Sequence, residues 1–487
     1  MPPVPHNTSL PFSPGFSRRE MLRRTSTGFG MLALSALMAD PAYAGLAPSS
    51  PDNPLAPRRG HHKPRVKNVI FCYLSGGLSQ IDSFDPKPRL DKEAGEPMPF
   101  KTERTMFNLD GNIFPSPWKF KRYGSSGIPV SDLFPHIGSV ADELTLIRSM
   151  TAKFMSHAQA NFYFHCGTPF AGFPSMGAWI SYGLGSENRN LPGFVVLGSG
   201  GVPLGGINIF GNGFLSAVHQ GSFIYPERKE PLGNIRPRES DLRQRQRISV
   251  IDSLDREFLA TAGGHPQVEA AIRNYETAYR MQSSVPELVD LSGETPATRK
   301  LYGVDSAVPA KAAYARQCLV ARRLVERGVR FVELTTVRGG GEAIDANPWD
   351  QHTKLFEGHS ANALVVDQPV AALIKDLKAR GLLEETLVVF SGEFGRTPFV
   401  QGKDGRDHNP FGFSLWLAGG GLKKGFIYGS TDEYGYRVVE HRQTIHDLHA
   451  TILHLLGLDH EALSYRFGGR DFRLTDVHGS VIQGILS

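Results

Sequence analysis

The chain has 487 residues, 40% of them hydrophobic and 21% charged, which excludes a disordered or fibrous protein and allows one large α/β domain or two smaller ones. The formal net charge of +5 partly reflects basic residues in the first 65 positions, so no nucleic-acid partner is inferred from it. The three cysteines, Cys72, Cys166 and Cys318, lack zinc-type spacing and suit buried side chains better than a disulfide framework.

The first 44 residues have the three parts of a bacterial export signal. The pair Arg18-Arg19 precedes a moderately apolar run over 28–38, and Ala42 to Ala44 supplies a small-x-small cleavage site. The pattern resembles a twin-arginine signal cleaved after Ala44, which predicts the twin-arginine export machinery as a partner and a periplasmic or secreted location. The run is shorter than the about 20 apolar residues that a membrane span needs, so no stable span is expected.

A flexible linker rich in Pro, Arg and His is expected over 45–66, and the folded domain over 67–487. The domain is expected to begin with a strand from Asn68 to Leu74. Two acids, Asp82 and Asp85, follow shortly after this strand. Either they bind a cation or they cap a turn, because Asp is also a favoured cap and turn residue.

A capped helix is predicted from Val130 to Leu144, and a second strand from Leu144 to Arg148. After that strand, Ser156 stands where another helix could begin, and His157 follows it. The Ser156 hydroxyl could cap this helix or act as a nucleophile near the positive end of the helix dipole. Side chains adjacent in a helix do not face each other, so no proton relay between Ser156 and His157 is implied. His157 is a second catalytic candidate.

The middle of the chain carries less chemistry. A strand is predicted over 194–197, a glycine-rich loop over 200–213 and a polar helical region over 241–281. The glycines do not form a dinucleotide fingerprint with its following helix and acid, which excludes a Rossmann cofactor site. A periodic helix over 310–327 and a buried strand over 329–334 come next.

Polar residues follow the ends of two later predicted strands. Asp350 and His352 come after the strand over 329–334, and a helix then leads to an apolar strand over 386–390. A polar loop and another apolar strand from 413 follow, and the loop contains Glu393, Arg396, Arg406, Asp407 and His408. Strands without clean alternation are typical of a parallel sheet covered on both faces, where ligands sit beyond the carboxyl ends. These residues therefore indicate metal or catalytic ligands, with a salt-bridged surface loop as the alternative.

Several short motifs occur in a fixed order over nearly all of the mature chain. They are Gly76-Gly77 with Asp82 to Pro88, Gly392 to Pro398, Gly405 to His408, Ala418 to Gly421, and Asp447 to Thr451. From Lys67 onward the sequence resembles the alkaline phosphatase superfamily, and within it the secreted sulfatase-related domain-of-unknown-function family fifteen-oh-one. The resemblance implies an α/β fold with a mainly parallel central sheet sandwiched by helices and, in active relatives, two metals that bind a phosphate or sulfate ester.

The resemblance also implies roles for single residues. Ser156 falls where the superfamily places its nucleophile, Asp350 and His352 where it places an acid-histidine ligand pair, and His408 where it places a late histidine ligand. Glu393 falls where another acid ligand is expected. Two departures from the superfamily predict an altered site, with one well-held ion as the expectation: Ser75 replaces an acid, and Glu393-Phe394 replaces an Asp-His pair, so one imidazole is missing.

The sequence therefore predicts an exported metal-dependent hydrolase of a small-molecule or polysaccharide sulfate or phosphate ester. The expected ligands of a divalent metal (Ca, Zn, Mg or Mn) are Asp82, Asp85, Asp350, His352, Glu393, Asp407 and His408. Asp407 has the alternative role of orienting His408. The residues expected to neutralise the ester anion are Arg396, Arg406 and Lys87. The alternative function is a catalytically silent metal-containing protein that binds a sulfated polysaccharide or a cell-envelope partner.

Overall fold

The structure is a computed structural model and describes residues 55–107, 111–199, 201–233, 235–236, 240–262, 266–335 and 347–487. The predicted signal peptide and the first part of the predicted linker lie outside the described residues. Within the described ranges, no helix is both long and apolar enough to cross a membrane.

Within the described residues, nine strands form one large sheet, and the other strands pair in four two-stranded ribbons. In chain order, the strands are Asn68–Tyr73 (β1), Phe120–Tyr123 (β2), Ile128–Ser131 (β3), Leu144–Thr151 (β4), Phe194–Leu197 (β5), Ser222–Ile224 (β6), Phe331–Thr335 (β7), Thr386–Ser391 (β8), Gly395–Gln401 (β9), Gly405–Asn409 (β10), Phe413–Ala418 (β11), Phe426–Tyr428 (β12), Ser430–Thr431 (β13), Val438–Glu440 (β14), Gln443–Thr444 (β15), Tyr465–Phe467 (β16) and Arg470–Phe472 (β17). The large sheet has the order β12-β4-β11-β8-β1-β7-β5-β6, and β15 also pairs with β4.

The helices lie between and after these strands. The α-helices are Pro88–Lys92 (α1), Pro135–Gly138 (α2), His157–Cys166 (α3), Met176–Leu184 (α4), Asp241–Ala262 (α5), Pro266–Val289 (α6), Pro296–Tyr302 (α7), Pro309–Glu326 (α8), Leu355–Ala379 (α9) and Ile445–Leu455 (α10). Short 3-10 helices span Ala141–Glu143, Gly206–Phe210, Ala217–His219, Leu383–Glu385 and Gln483–Ile485.

The large sheet is buried on both faces. Along β1, Ile70 and Cys72 point into one apolar cluster, while Val69 and Phe71 point into another. The first cluster includes residues of α8 and α9, and the second includes residues of α4 and α10. A strand buried on both sides needs apolar residues at successive positions, which explains the continuous apolar runs in the sequence. The predicted α/β fold with a mainly parallel sheet between helices is confirmed.

One strand of the sheet runs against the others. β1 is parallel to both β7 and β8, whereas β11 is antiparallel to its neighbours β4 and β8. The predicted polar loop before β11 is instead an antiparallel hairpin of β9 and β10. The chain can return antiparallel here because no crossover helix lies between β8 and β11.

Two other predictions differ from the structure. The helix predicted from Val130 to Leu144 is wrong, since this stretch contains the end of β3, the short helix α2 starting at Pro135, and a 3-10 turn. Proline favours a helix start but cannot continue one that begins earlier. The last residues of the predicted flexible linker are attached to the domain: the amides of Arg65 and Val66 donate to the Leu455 carbonyl at 2.8 and 3.0 Å.

Three buried histidines predict loss of stability in acid. Burial lowers the pKa of His219, His359 and His449 to about 3 each. In the unfolded chain the pKa of an imidazole is about 6.5. Between about pH 3 and pH 6.5 the unfolded state therefore binds more protons than the folded state. The free energy of unfolding should therefore fall as pH drops below 6.5, by up to about 1.4 kcal/mol per pH unit for each histidine. Urea unfolding of the purified protein at pH 7 and pH 5 measures this; equal stabilities would contradict it.

Candidate metal centre

Four side chains converge beyond one end of the sheet. Ligand atoms of His157, Asp350, His352 and His408 all lie within 4.8 Å of one another. The Nε2 atoms of His352 and His408 are 3.0 Å apart, and the Asp350 carboxylate lies 3.0 Å from His157 Nε2 and 2.7 Å from His352 Nε2. Three imidazoles and one carboxylate therefore surround one point.

The four residues come from three separate parts of the chain. His157 is the first residue of α3, Asp350 and His352 lie in the segment before α9, and His408 is in β10. The hairpin register places His408 opposite Arg396, and a register shift between Arg406 and His408 interrupts the ladder at this point. Such an irregularity redirects a side chain, and here it lies beside the cluster.

Each imidazole is oriented through its Nδ1 atom. His157 Nδ1 donates to Glu393 Oε1 at 2.6 Å, and His408 Nδ1 donates to the Met155 carbonyl at 2.6 Å. His352 Nδ1 is hydrogen-bonded to the Gln401 side-chain oxygen. With the proton on Nδ1, a neutral imidazole presents the lone pair of Nε2, and this is how protein acceptors orient metal-binding histidines.

The cluster fits a metal ion. His157 Nε2 is buried and makes no hydrogen bond, although a carboxylate oxygen lies 3.0 Å away. The facing Nε2 atoms of His352 and His408 each carry a lone pair when neutral, so a shared cation satisfies both of them. Three nitrogens and one carboxylate suit zinc, manganese or iron better than calcium or magnesium, which prefer oxygen ligands. The side chains of Asp350 and His352 are 23% and 24% exposed, so the site is open to solvent on one side.

Neighbouring charges keep the Asp350 carboxylate ionised. Burial raises the pKa of Asp350, but the Arg396 charge and the three neighbouring imidazoles outweigh it, and the net pKa lies well below the usual range. Burial lowers the pKa of His408 to about 4, so this imidazole is neutral at pH 7. Burial also acts to lower the pKa of His157, but Asp350 and Glu393 raise it to about 9. Binding of a metal ion at Nε2 of His157 would require the loss of this proton.

Glu393 lies behind the cluster and contacts it through His157. Its carboxylate is buried and accepts from the Gly76 amide at 2.9 Å and from the Tyr73 hydroxyl at 3.3 Å. Gly76 has φ +110°, and a Cβ there would lie 2.6 Å from the Asp350 amide nitrogen. Only glycine fits this close approach. The prediction that Glu393 is a direct metal ligand is thus replaced by a role in orienting His157.

Arg396 is not available to an ester anion. Its guanidinium is fully buried, donates to the carbonyls of Gly77 and Arg406 at 3.0 Å, and donates to Asp350 at 2.6 Å. The prediction that Arg396 neutralises the substrate is wrong because these bonds use its donors within the protein. It holds Asp350 instead.

Asp82 and Arg406 form a buried ion pair away from the cluster. Arg406 Nε and Nη2 donate to the two Asp82 oxygens at 2.8 and 3.1 Å, and both side chains are fully buried. Arg406 also donates to the carbonyls of Phe114 and Thr397. The predictions that Asp82 is a ligand and that Arg406 contacts the anion are wrong, because each neutralises the other.

Asp85, Lys87 and Asp407 also have structural partners. The Asp85 carboxylate lies 3.0 Å from Lys87 Nζ and 3.5 Å from Arg148 Nε. Asp407 accepts from the backbone amides of Phe107 and His408 at 3.1 and 2.7 Å. The ligand predictions for Asp85 and Asp407 are wrong, and so is the anion role of Lys87. Asp407 also makes no bond to the His408 ring, so its alternative role is not seen.

Ser156 is the N-cap residue of α3, with φ −83° and ψ 129°, and its side chain makes no capping hydrogen bond. It lies between two residues of the site, because the Met155 carbonyl holds His408 and His157 belongs to the cluster. The simple capping role is therefore not what the structure shows.

The sequence missed three features of this site. His157 was a catalytic candidate but joins the ligands, and it supplies an imidazole that the Glu393-Phe394 departure seemed to remove. The Phe394 ring packs against His408 and His157 at 4.5 and 5.0 Å between centroids. Gln401 and the Met155 carbonyl orient two imidazoles, and no local pattern marks either of them.

Comparisons with known proteins give a family and a set of structural likenesses. A family model described as "Protein of unknown function (DUF1501)" matches residues 66–486. No curated protein sequence matches the chain. Ps i-CgsB, solved in complex with k-i-k-neocarrahexaose, is 12% identical with a TM-score of 0.36, covering 81% of this chain and 72% of that one.

Two other solved structures belong to named enzyme classes. PsFucS1 sulfatase from Pseudoalteromonas sp. is 12% identical with a TM-score of 0.35, over 81% of this chain and 68% of that one. Alkaline phosphatase from the Antarctic bacterium TAB5 is 10% identical with a TM-score of 0.33, and the match covers 80% of this chain and 98% of that one. At these values the likenesses assign no activity to this chain.

Proposed function

This chain belongs to the DUF1501 family, whose members are described as proteins of unknown function, and we propose that it is an exported, metal-dependent hydrolase of a sulfate or phosphate ester. The observation that carries the proposal is the convergence of His157, Asp350, His352 and His408, with every imidazole oriented through Nδ1. Such a site, partly open to solvent, is built to hold an ion and to leave room for a substrate.

The protein's own residues supply positioning and a nucleophile. His157, Asp350, His352 and His408 would hold the ion, which when bound would act as a Lewis acid and polarise an ester oxygen. Ser156 supplies the attacking hydroxyl: its oxygen bonds to the phosphorus or sulfur, the bond to the leaving oxygen breaks, and the proton lost by the hydroxyl is balanced by the one that the departing alkoxide takes up from solvent. The positive end of the α3 dipole favours the alkoxide form of Ser156. Attack of a water oxygen on the phosphorus or sulfur then breaks the bond to the Ser156 oxygen, and a proton from the water restores the hydroxyl as the inorganic anion leaves.

Metal analysis and an ester panel together test this function. We expect about one divalent transition-metal ion per purified chain, and hydrolysis of aryl or sugar esters that is lost on chelation and restored by the same metal. Sulfate and phosphate esters of the same alcohol separate the two chemistries. A protein that binds no metal, or hydrolyses these esters equally well after complete chelation, would contradict the proposal.

A second candidate is a metal-holding binding protein without turnover. The observation that favours it is that Arg396, Arg406 and Lys87 are each bonded to protein groups. A polysaccharide or a cell-envelope partner would then bind without being cleaved. Metal-loaded protein that is inactive across the whole panel, yet retains a sulfated polysaccharide, would favour this candidate.

Export by the twin-arginine route is part of the proposal. The pair Arg18-Arg19, the short apolar run and the Ala-x-Ala site support it, and a mature N-terminus near Gly45 is expected. Replacing both arginines with lysine should leave the precursor in the cytoplasm, which fractionation and immunoblotting measure. Normal amounts of mature protein outside the inner membrane would show that another route is used.

A further inference from the structure

A cavity of about 520 Å³ lies beside α3, apart from the metal centre. Gln159, Tyr163 and Cys166 of α3 line it, and their spacing of four and three residues places them on one face of the helix. His157 lies two positions before Gln159, about 200° around the helix at 3.6 residues per turn. The cavity and the metal centre therefore lie on different faces of α3 and are distinct sites.

Aromatic rings form much of the cavity wall. The rings of Phe154 and Tyr163 meet edge to face at 5.2 Å, and those of Phe173 and Phe472 at 5.8 Å. Phe170, which also lines the cavity, is 63% exposed. Aromatic side chains at the mouth of a cavity offer flat apolar faces on which a ring of a ligand can lie.

The cavity also carries positive charge. Lys153 and Arg473 line it, and neither has a salt-bridge partner within the described ranges. Arg470, at the same wall, is paired with Asp476, so these two charges cancel. The remaining cations favour an anionic ligand, and a guanidinium can bind a sulfate, phosphate or carboxylate through two parallel hydrogen bonds.

We propose that this cavity binds a ring that bears an anionic group, such as a sulfated sugar or an aryl sulfate. The ring lies against the aromatic wall, and Arg473 and Lys153 bind the anion. This site does not depend on the proposed hydrolase function, because none of its contacts involves the metal ligands. It would hold a separate ligand or a remote part of a long one.

Calorimetric titration of the mature chain, both as purified and after chelation, tests the proposal. The probes are a monosulfated disaccharide, its unsulfated counterpart, phenyl sulfate and inorganic sulfate. We expect the disaccharide or phenyl sulfate to bind at least tenfold more tightly than inorganic sulfate and the unsulfated sugar, with or without chelation. Tighter binding of the disaccharide would identify a sugar ring as the ligand, and tighter binding of phenyl sulfate would identify an aryl ring.

Three variants locate the site. Arg473→Gln removes the anion contact and Phe170→Ala removes an aromatic face, so each should weaken binding at least tenfold. Arg59→Gln, at an exposed arginine outside the lining, removes the same charge and should leave binding unchanged. The proposal is overturned if no ringed anion binds, if inorganic sulfate or the unsulfated sugar binds equally well, if binding needs the metal, or if neither lining variant weakens it.

Discussion

Replacing His408 with alanine is expected to remove the bound metal and with it all hydrolysis. His408 contributes one of three converging Nε2 atoms, and it lies 3.0 Å from that of His352. Even residues that only orient a ligand typically change metal affinity about 10- to 100-fold, so loss of a direct ligand should cost more than about 100-fold. Metal content after gel filtration and metal titration of the stripped protein measure this loss.

A graded set of variants makes the result specific. Glu393→Gln keeps an acceptor for His157 but removes the charge, so a loss of about 10- to 100-fold in affinity is expected. His136→Ala removes an exposed imidazole outside the cluster and should leave affinity unchanged. Wild-type metal content in the His408→Ala protein would rule out the proposed centre.

Ser156→Ala is expected to lower turnover by orders of magnitude while the metal stays bound. If Ser156 supplies the nucleophile, alanine leaves no hydroxyl at this position to form the covalent ester. Its stability should change little, because the side chain makes no capping hydrogen bond that alanine would lose. Steady-state kinetics, metal content and urea unfolding of the same preparation separate these effects.

Ser175→Ala is the matched control. Ser175 caps α4, and its hydroxyl accepts from the Ala178 amide at 3.3 Å. Loss of such a cap should cost about 1 kcal/mol of stability and leave turnover in the folded protein unchanged. Full activity in the Ser156→Ala protein would exclude Ser156 as the nucleophile.

Much of the fold could be predicted from the sequence because burial determines composition. The apolar runs of β1 and β8 mark central strands, and the periodic run over 310–327 matches α8 within a residue at each end. The family suggested by the ordered motifs is confirmed by the match over 66–486. The direction of β11 could not be predicted, because a buried strand has the same composition in either direction.

The candidate site was harder to predict, because a charged residue after a strand can pair with a ligand or with another side chain. Asp350, His352 and His408 do converge, as predicted. Asp82, like Asp350, follows a buried strand, yet it pairs with Arg406, which lies 324 positions away in the sequence. No local spacing reveals a pairing between residues so far apart in the sequence, so sequence patterns predict separate roles for Asp82 and Arg406.

Asp82 is a predicted ligand that lies outside the cluster, whereas His157 is a predicted catalytic residue that lies among the ligands. The place of His157 at the first turn of a helix indicates chemistry, but the direction of its ring cannot be read from neighbouring residues. The direction is set by Glu393, which holds Nδ1 from a strand end far along the chain. A histidine becomes a ligand through the acceptor behind it, and that acceptor is visible only once the fold brings the two together.

The spread of the four ligands over α3, the segment before α9 and β10 determines when the ion can enter. Contacts between residues so far apart in sequence form late in folding, since each requires the closure of a long loop. We therefore expect the ion to enter a largely formed domain rather than to nucleate its folding. Because the twin-arginine route carries folded proteins, the proposed export places metal loading in the cytoplasm. The cytoplasmic supply of ions, rather than that of the cell envelope, would then decide which metal the mature protein carries.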